Sequence, residues 1–240
     1  VTRRKLDKYF YCQEAENVIE RGKPLYTRIK GNWNEIFFKN PNPIILELAC
    51  GKGDYTIGLA QRYPDRNFIG IDIKGDRISQ GSKIASDLGL INVAFLRASI
   101  QYLDEFFEED EVNEIWLVHP DPHVRDRDEK KRLTNPSFLA DYKKYLRVGG
   151  ILHLKTDSPD LYQYSLNVFE QVPFLRIIDH TSDLYKSPLY AYHHNIVTHY
   201  ERVFYARGFS IKYIQAVNKK GTSLRSPFFI YSALDFARSS

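Results

Sequence analysis

The pentapeptide His-Pro-Asp-Pro-His, His119 to His123, sets a carboxylate between two prolines directly after the apolar run EIWLV. Pro120 and Pro122 restrict the backbone on both sides of Asp121 and hold its side chain in place. A carboxylate that cannot swing away suits two tasks: orienting a polar substrate, and stabilising positive charge that develops during a reaction. An aspartate can also cap a turn, but Thr134 and Asn135 already offer caps to the following helix. Directly downstream, RDRDEKKR (Arg125 to Arg132) carries five basic residues and three acids.

A second constellation is ELACGKGD, Glu47 to Asp54. Gly51 and Gly53 permit a tight turn and close approach of a ligand to the backbone. Asp72 ends the next apolar run, 25 residues after Glu47, where an acid can accept hydrogen bonds from a ribose diol. A glycine turn with one acid can serve a nicotinamide cofactor, a flavin or S-adenosylmethionine. The full G-x-G-x-x-G is missing, because Ala49 and Gly58 interrupt it. Glu47 would repel a pyrophosphate, whereas a cofactor with an amino-acid group and a sulfonium tolerates acids. The pattern therefore favours S-adenosylmethionine, and a turn that merely joins strand to helix remains open.

Two further acids lie late in the chain. Asp157 closes the run ILHLKTD, and Thr198 and Glu201 belong to THYE. The T-x-x-E spacing is also that of a helix capping box. His119, His123, His193, His194 and His199 raise the question of a metal, which would need three or four converging ligands. No cysteine pair assists, and no metal is expected. Tyr9, Phe10 and Tyr11, beside the basic segment RRKLDK, could stack on nucleic acid or form the buried side of a helix.

The elements that must position these residues follow from hydrophobic period. IILEL, NFIGIDI, NVAFLRA, EIWLV and ILHLKTD read as strands, separated by helices over DYTIGLAQRY, GDRISQGSKIASDLG, PSFLADYKKYLRVGG and SPDLYQYSLNVFEQV and by the amphipathic SIQYLDEFF. The third of these helices is expected to run to Gly149 and Gly150. This alternation predicts an α/β fold, a doubly wound Rossmann-like sheet. VPFLRIIDHTSDLY and FSIKYIQAV, with a helix at YERVFYARG between them, predict a final strand pair that gives the mostly parallel sheet an antiparallel edge. In such a sheet, ligands bind beyond the carboxyl ends of the strands. That rule would gather Glu47, Asp72, Asp121 and Asp157 at one cleft.

The chain has 240 residues, 43% hydrophobic and 27% charged. That supports one domain, with 1–43 as a helical, basic extension and 218–240 as a tail. No apolar run approaches the roughly 18 residues needed to span a bilayer. Two cysteines make no disulfide framework, and Cys50 reads as a reduced cytosolic thiol. The net charge is only +4, but basic residues concentrate in RRKLDK, in Arg125 to Arg132, and at Lys219, Lys220, Arg225 and Arg238. A polyanion would find several sticky regions here; a solvated, salt-laced surface is the plainer alternative.

From about Pro43 to Gly208 the chain resembles the bacterial tRNA (guanine-N7)-methyltransferase family. The resemblance rests on PDPHVRDRDEKKRL with PSFL, then GGILHLKTD, and later THYE. Family members usually carry phenylalanine-proline-aspartate-proline-tryptophan, a further proline, and then lysines and arginines. Here Pro120, Asp121 and Pro122 are kept. His119 and His123 stand where aromatics are usual, Val124 replaces the next proline, Arg125 replaces a lysine, and Asp126 and Asp128 add acids. Ala49 stands where glycine is commoner, and Ser99 where an acid or amide usually touches the adenine.

The resemblance implies a cytoplasmic enzyme, monomer or homodimer, that moves a methyl group from S-adenosylmethionine to N7 of a variable-loop guanosine in tRNA. It implies Glu47, Gly51, Gly53, Asp72, Ser99 and Asp121 around the cofactor, with Asp121 the catalytic carboxylate. Arg125, Asp157, Thr198 and Glu201 fall to the substrate. Asp157 and Glu201 would accept from N1–H and the exocyclic amine of guanine, donors that adenine does not pair in this way. A small-molecule methyltransferase of the same fold, or a tRNA-binding module without turnover, are the alternatives.

Overall fold

The computed structural model describes residues 3–219. Most of the expected tail, 220–240, therefore lies outside the described residues, including Lys220, Arg225 and Arg238. Eight strands form one sheet: β1 (Val18–Ile19), β2 (Ile44–Leu48), β3 (Asn67–Asp72), β4 (Val93–Arg97), β5 (Val112–Val118), β6 (Leu146–Thr156), β7 (Leu175–Thr181) and β8 (Lys212–Asn218). Their order across the sheet is β1-β4-β3-β2-β5-β6-β8-β7. All pairings are parallel except those of β8, which runs antiparallel to both β6 and β7.

Every residue of β2 and β3 is buried, as expected of parallel strands covered on both faces. Alternate residues feed two cores. Leu46, Leu48, Ile69, Ile71, Ile115 and Leu117 pack on one face with α4 (Pro136–Tyr145) and α5 (Pro159–Gln171). Ile45, Phe68, Phe95 and Trp116 pack on the other with α2 (Asp54–Arg62) and α3 (Gly75–Asp87). Chain order reverses between β2 and β5, which places the switch point of the sheet between the glycine turn and the Asp121 loop.

Two local expectations are corrected. Helix α4 stops at Tyr145, four residues before Gly149, because Leu146 is buried and opens β6 by pairing with Val112. The register then jumps to Glu114↔Ile151. The carbonyls of Leu146 and Arg147, displaced by this bulge, are recovered by Asn218 Nδ2 at 2.7 and 3.2 Å. The amphipathic SIQYLDEFF, whose form the sequence left open, is a 3-10 turn over Ile100–Glu105. The first 43 residues are helical only in part. α1 (Arg3–Glu14) is followed by β1, whose Val18 and Ile19 extend the sheet beside β4, and by a π-helical segment, Trp33–Phe38. Trp33 is buried against Phe107, with ring centroids 5.5 Å apart, and its Nε1 donates to the carbonyl of Phe106.

Helix α3 lies so close to the first turn that a Cβ on Gly81 would sit 2.3 Å from the carbonyl oxygen of Lys52 and 2.8 Å from the ring of Phe95. Backbone cannot yield as a flexible side chain can. Gly81→Ala is therefore expected to lower unfolding free energy by about 1–3 kcal/mol, read as a lower urea midpoint at unchanged slope.

Candidate active site

The first strand end is built around two carboxylates. Glu47, on β2, is buried, and its Oε2 accepts from Thr56 Nα at 2.8 Å and from the Thr56 hydroxyl in a second, short hydrogen bond. This ties the strand to the first turn of α2. Asp72, at the end of β3, accepts from Gly51 N at 3.0 Å on one oxygen and from Lys74 N at 2.8 Å on the other. Asp72 thereby fixes the shape of the glycine turn. Ala49 takes a left-handed backbone at φ +57, a conformation that favours glycine.

The two glycines of the turn differ in purpose. At Gly53 an added Cβ would press 2.5 Å from the Phe95 ring, whereas at Gly51 it would meet nothing within 4 Å. Open space thus lies over Gly51. Beside Asp72, Ile73 is 62% exposed and helps line a cleft of about 440 Å³ with Leu6, Tyr9, Lys74, Gly75, Asp76 and Arg97. Ser99, half-buried, follows the end of β4. A fixed carboxylate, an open backbone turn and an exposed apolar side chain fit a nucleoside with a polar extension. A larger cleft, about 520 Å³, is lined by Lys30, Asp104, Phe107, Glu108, Lys143 and Lys144 among others. It lies toward the amino ends of β5 and β6 and contains none of the strand-end carboxylates.

Burial raises Glu47 to about 7, with the hydrogen bonds from Thr56 pulling the other way and the nearby Asp54 and Asp72 adding to the rise. A carboxyl raised above its unfolded value binds more protons when folded, so its contribution is greatest at low pH and fades as pH climbs from about 4.5 to about 7. Replacing it with the non-titrating Glu47→Gln should remove that slope. Across about pH 5 to 8, wild type is expected to lose up to ~3 kcal/mol relative to Glu47→Gln in urea unfolding.

The fourth strand end turns sharply. His119 and His123 both have left-handed backbones, φ +46 and +43, flanking the proline-bracketed Asp121. His119 N donates to Lys155 O at 2.8 Å and keeps the turn on the sheet. Asp121 and Arg125 are exposed. The loop is anchored from beneath: Arg132 Nε donates to His123 O at 3.1 Å while its guanidinium stacks 4.3 Å over the Tyr164 ring. Asn135 caps α4 by accepting from Ser137 N at 3.0 Å.

The fifth strand end meets α6 (His199–Ala206) in a buried polar cluster. Glu201 is 0% exposed. Its Oε2 receives Lys155 Nζ at 2.9 Å, and its Oε1 receives Tyr185 OH and His193 Nε2, each at 2.9 Å. Lys155 is equally buried and lies 5.2 Å over the Tyr55 ring. Burial opposes the charge on Glu201, but His119, His193 and Lys155 together hold it far below the usual carboxylate range. Thr198 Oγ1 accepts from Glu201 N at 3.2 Å, which is the capping contact foreseen in the T-x-x-E spacing.

Asp157, with its side chain 23% exposed, accepts from His119 Nδ1 at 3.2 Å. Burial opposes its charge, but the hydrogen bond and charge of His119, its own backbone N–H and the charge of Lys212 together outweigh that and lower its pKa. Lys212 Nζ braces the Asp157 carbonyl at 3.1 Å.

The structure thus brings Asp157, Thr198 and Glu201 together through His119, and Glu47, Gly51 and Asp72 together through the first turn. Asp121 and Arg125 share the loop after β5, and Ser99 follows β4 at the same edge of the sheet. Both Glu201 oxygens already have partners within the chain, so Asp157 is the acid of this cluster that reaches solvent. Tyr9 and Phe10 point outward, while Tyr11 is half-buried with its hydroxyl 3.4 Å from Ser82 Oγ. Lys219 is exposed. Sequence reasoning missed Lys155, Tyr185, Thr56 and Ile73, and considered His193 only as a metal ligand and Arg132 only within a basic run. Only Lys155, a lone cation inside the apolar run ILHLKT, carried a local signal. Among the described residues no group of three or more His, Cys, Asp or Glu could hold a metal ion. No helix among them is long and apolar enough to cross a membrane.

Removing Lys155 would strand a buried anion. Lys155→Met should cost about 3–5 kcal/mol in unfolding free energy, and the double change Lys155→Met with Glu201→Gln should recover part of that loss. Equal losses in the single and double variants would show that the pair is not coupled.

A family model described as "Putative methyltransferase" matches residues 41–214. A tRNA (guanine-N(7)-)-methyltransferase of Cytophaga hutchinsonii is 40% identical over 216 residues, covering 90% of this chain and 97% of that protein. One of Porphyromonas gingivalis is 48% identical over 196 residues, covering 81% and 78%. Among solved structures, the 16S rRNA methyltransferase KamB superposes with a TM-score of 0.56 at 14% identity, over 74% of this chain and 88% of that one. That likeness concerns the fold. The relatives, matched nearly end to end, settle the lineage: this chain belongs to the tRNA (guanine-N7)-methyltransferase family.

Proposed function

We propose that the protein methylates N7 of a guanosine in tRNA, in the variable loop, with S-adenosylmethionine as donor, and that it does so in the cytoplasm. The observation that carries this reading is the alignment of a fixed cofactor-type turn, a proline-bracketed carboxylate and a partly exposed Asp157 along one edge of the sheet. It is supported by relatives that share most of the chain.

Guanine N7 carries an in-plane lone pair and no proton at neutral pH, so no base is required to activate it. When bound, S-adenosylmethionine supplies an electrophilic methyl group on a positively charged sulfur. The chain must align nitrogen, carbon and sulfur, and must tolerate positive charge passing to the purine. Orientation alone can contribute up to ~7–11 kcal/mol.

Gly51, in the turn closed by Gly53, would admit the cofactor at the open backbone, Asp72 would accept from its ribose, and Ile73 and Ser99 would flank its adenine. Glu47 organises the turn from below through Thr56. Asp121 orients the guanine and stabilises its growing charge. Asp157 accepts from the guanine N–H donors, while Thr198 and Glu201 serve the same capture from behind it. Arg125 meets a phosphate or base oxygen with a planar fork. The exposed faces of Arg125 to Lys131 and of α1, with Tyr9 and Phe10, take the RNA backbone.

The test is transfer of a labelled methyl group to unmodified tRNA, followed by strand cleavage specific for 7-methylguanosine. One dominant cleavage site is expected, and label elsewhere or none would overturn the reading. Asp121→Ala should reduce transfer by at least ~10²-fold while calorimetry shows S-adenosylhomocysteine bound as in wild type. Normal turnover in that variant would remove Asp121 from its assigned role.

A further inference from the structure

We propose that His119 is a positioning residue for guanine capture, an imidazolium that bridges the cleft-facing Asp157 to the buried Glu201. The inference rests on the tRNA-guanosine reading above and concerns how that site is regulated by pH.

The geometry is specific. His119 Nδ1 lies 3.2 Å from Asp157 Oδ1, and Nε2 lies 3.7 Å from Glu201 Oε2, with the side chain only 5% exposed. Nε2 is buried and has no hydrogen-bond partner within normal distance. A protonated Nε2 closes on the Glu201 anion, whereas a neutral one sets a lone pair against it. The groups facing the ring come from several elements. Lys155 and Asp157 arrive from β6 and its end, and Glu201 from α6. His193 and Tyr185 occupy the far oxygen of Glu201, and Lys212 of β8 lies by Asp157.

Lys155 balances one of the two carboxylates at bonding distance, and the imidazolium balances the other. Burial works against charging His119, as does Lys155, but the hydrogen bond to Asp157 and the nearby Glu201 carboxylate together prevail and raise its pKa above the ordinary 6.5. The bridge is therefore intact below the raised value and is lost as pH rises through it. The neutral ring keeps one proton: held on Nδ1 it leaves the Nε2 lone pair facing Glu201, and held on Nε2 it withdraws the hydrogen bond from Asp157, so it can no longer donate to both carboxylates.

The experiment compares wild type with His119→Gln and His119→Asn, neither of which titrates. Asn also tolerates the left-handed backbone at this position. KM and kcat for unmodified tRNA are measured from about pH 6 to 9.5. Ionisation of the guanine itself is common to all three enzymes and cancels in the ratio of wild type to variant. The expected ratio of kcat/KM is about tenfold at the acid end, carried mainly by KM, and falls toward one at the alkaline end. S-adenosylhomocysteine affinity stays equal in all three. An NMR titration of the wild-type His119 ring, which needs no variant, should give a pKa above 6.5. A ratio independent of pH, a loss confined to kcat, or a ring that titrates at or below 6.5 would overturn the inference while tRNA methylation stands. A wild-type protein that leaves tRNA unmethylated would instead sink the functional reading on which it rests.

Discussion

A full negative charge sits in the interior of this protein, and much of the site is arranged around neutralising it. Glu201 is enclosed by Lys155, His193 and Tyr185, with His119 on its remaining side. An unpaired carboxylate there would be prohibitively costly, so its partners must arrive together from β6, from the turns before α6 and from the loop after β5. That requirement docks the chain beyond β7 onto the central sheet. It also fixes the position of Asp157, one residue beyond the strand that bears Lys155.

The other half of the site depends on backbone rather than on ions. Asp72 grips the amide nitrogens of Gly51 and Lys74, and Glu47 grips Thr56. Each carboxylate joins one strand end to the next element through hydrogen bonds from backbone amides. The result is a turn whose shape does not await a ligand. Close packing of Gly53 on Phe95 and of Gly81 on Lys52 leaves little room for it to relax. Preorganisation of this kind suits a reaction whose demand is alignment rather than proton transfer.

Much of the fold was legible because apolar runs of five to seven residues between helix-period segments admit few arrangements. β2 to β6 and their intervening helices sit where hydrophobic period placed them, apart from the end of α4. The end of α4 misled because Gly149 and Gly150 look like a helix stop. The competing term was long-range: Leu146 gains a fully buried place beside Val112, and no local pattern reports that. The same holds for β1, two residues whose only recommendation is an exposed edge of β4. T-x-x-E showed both sides of its ambiguity. Its capping contact is local and was readable, while the burial of Glu201 was not.

The sequence by itself determined which strand ends carry acids, where the glycine turn lies, and that Asp121 is clamped by prolines, because these are properties of neighbours along the chain. Only the tertiary structure decided which of those acids face the cleft and which face inward. It paired Glu201 with Lys155, 46 residues away, and set His119 between two carboxylates that the linear order keeps apart. The physical reason is that desolvation and charge balance are properties of a volume. They depend on everything packed within a few ångströms, and a sequence window does not contain that information.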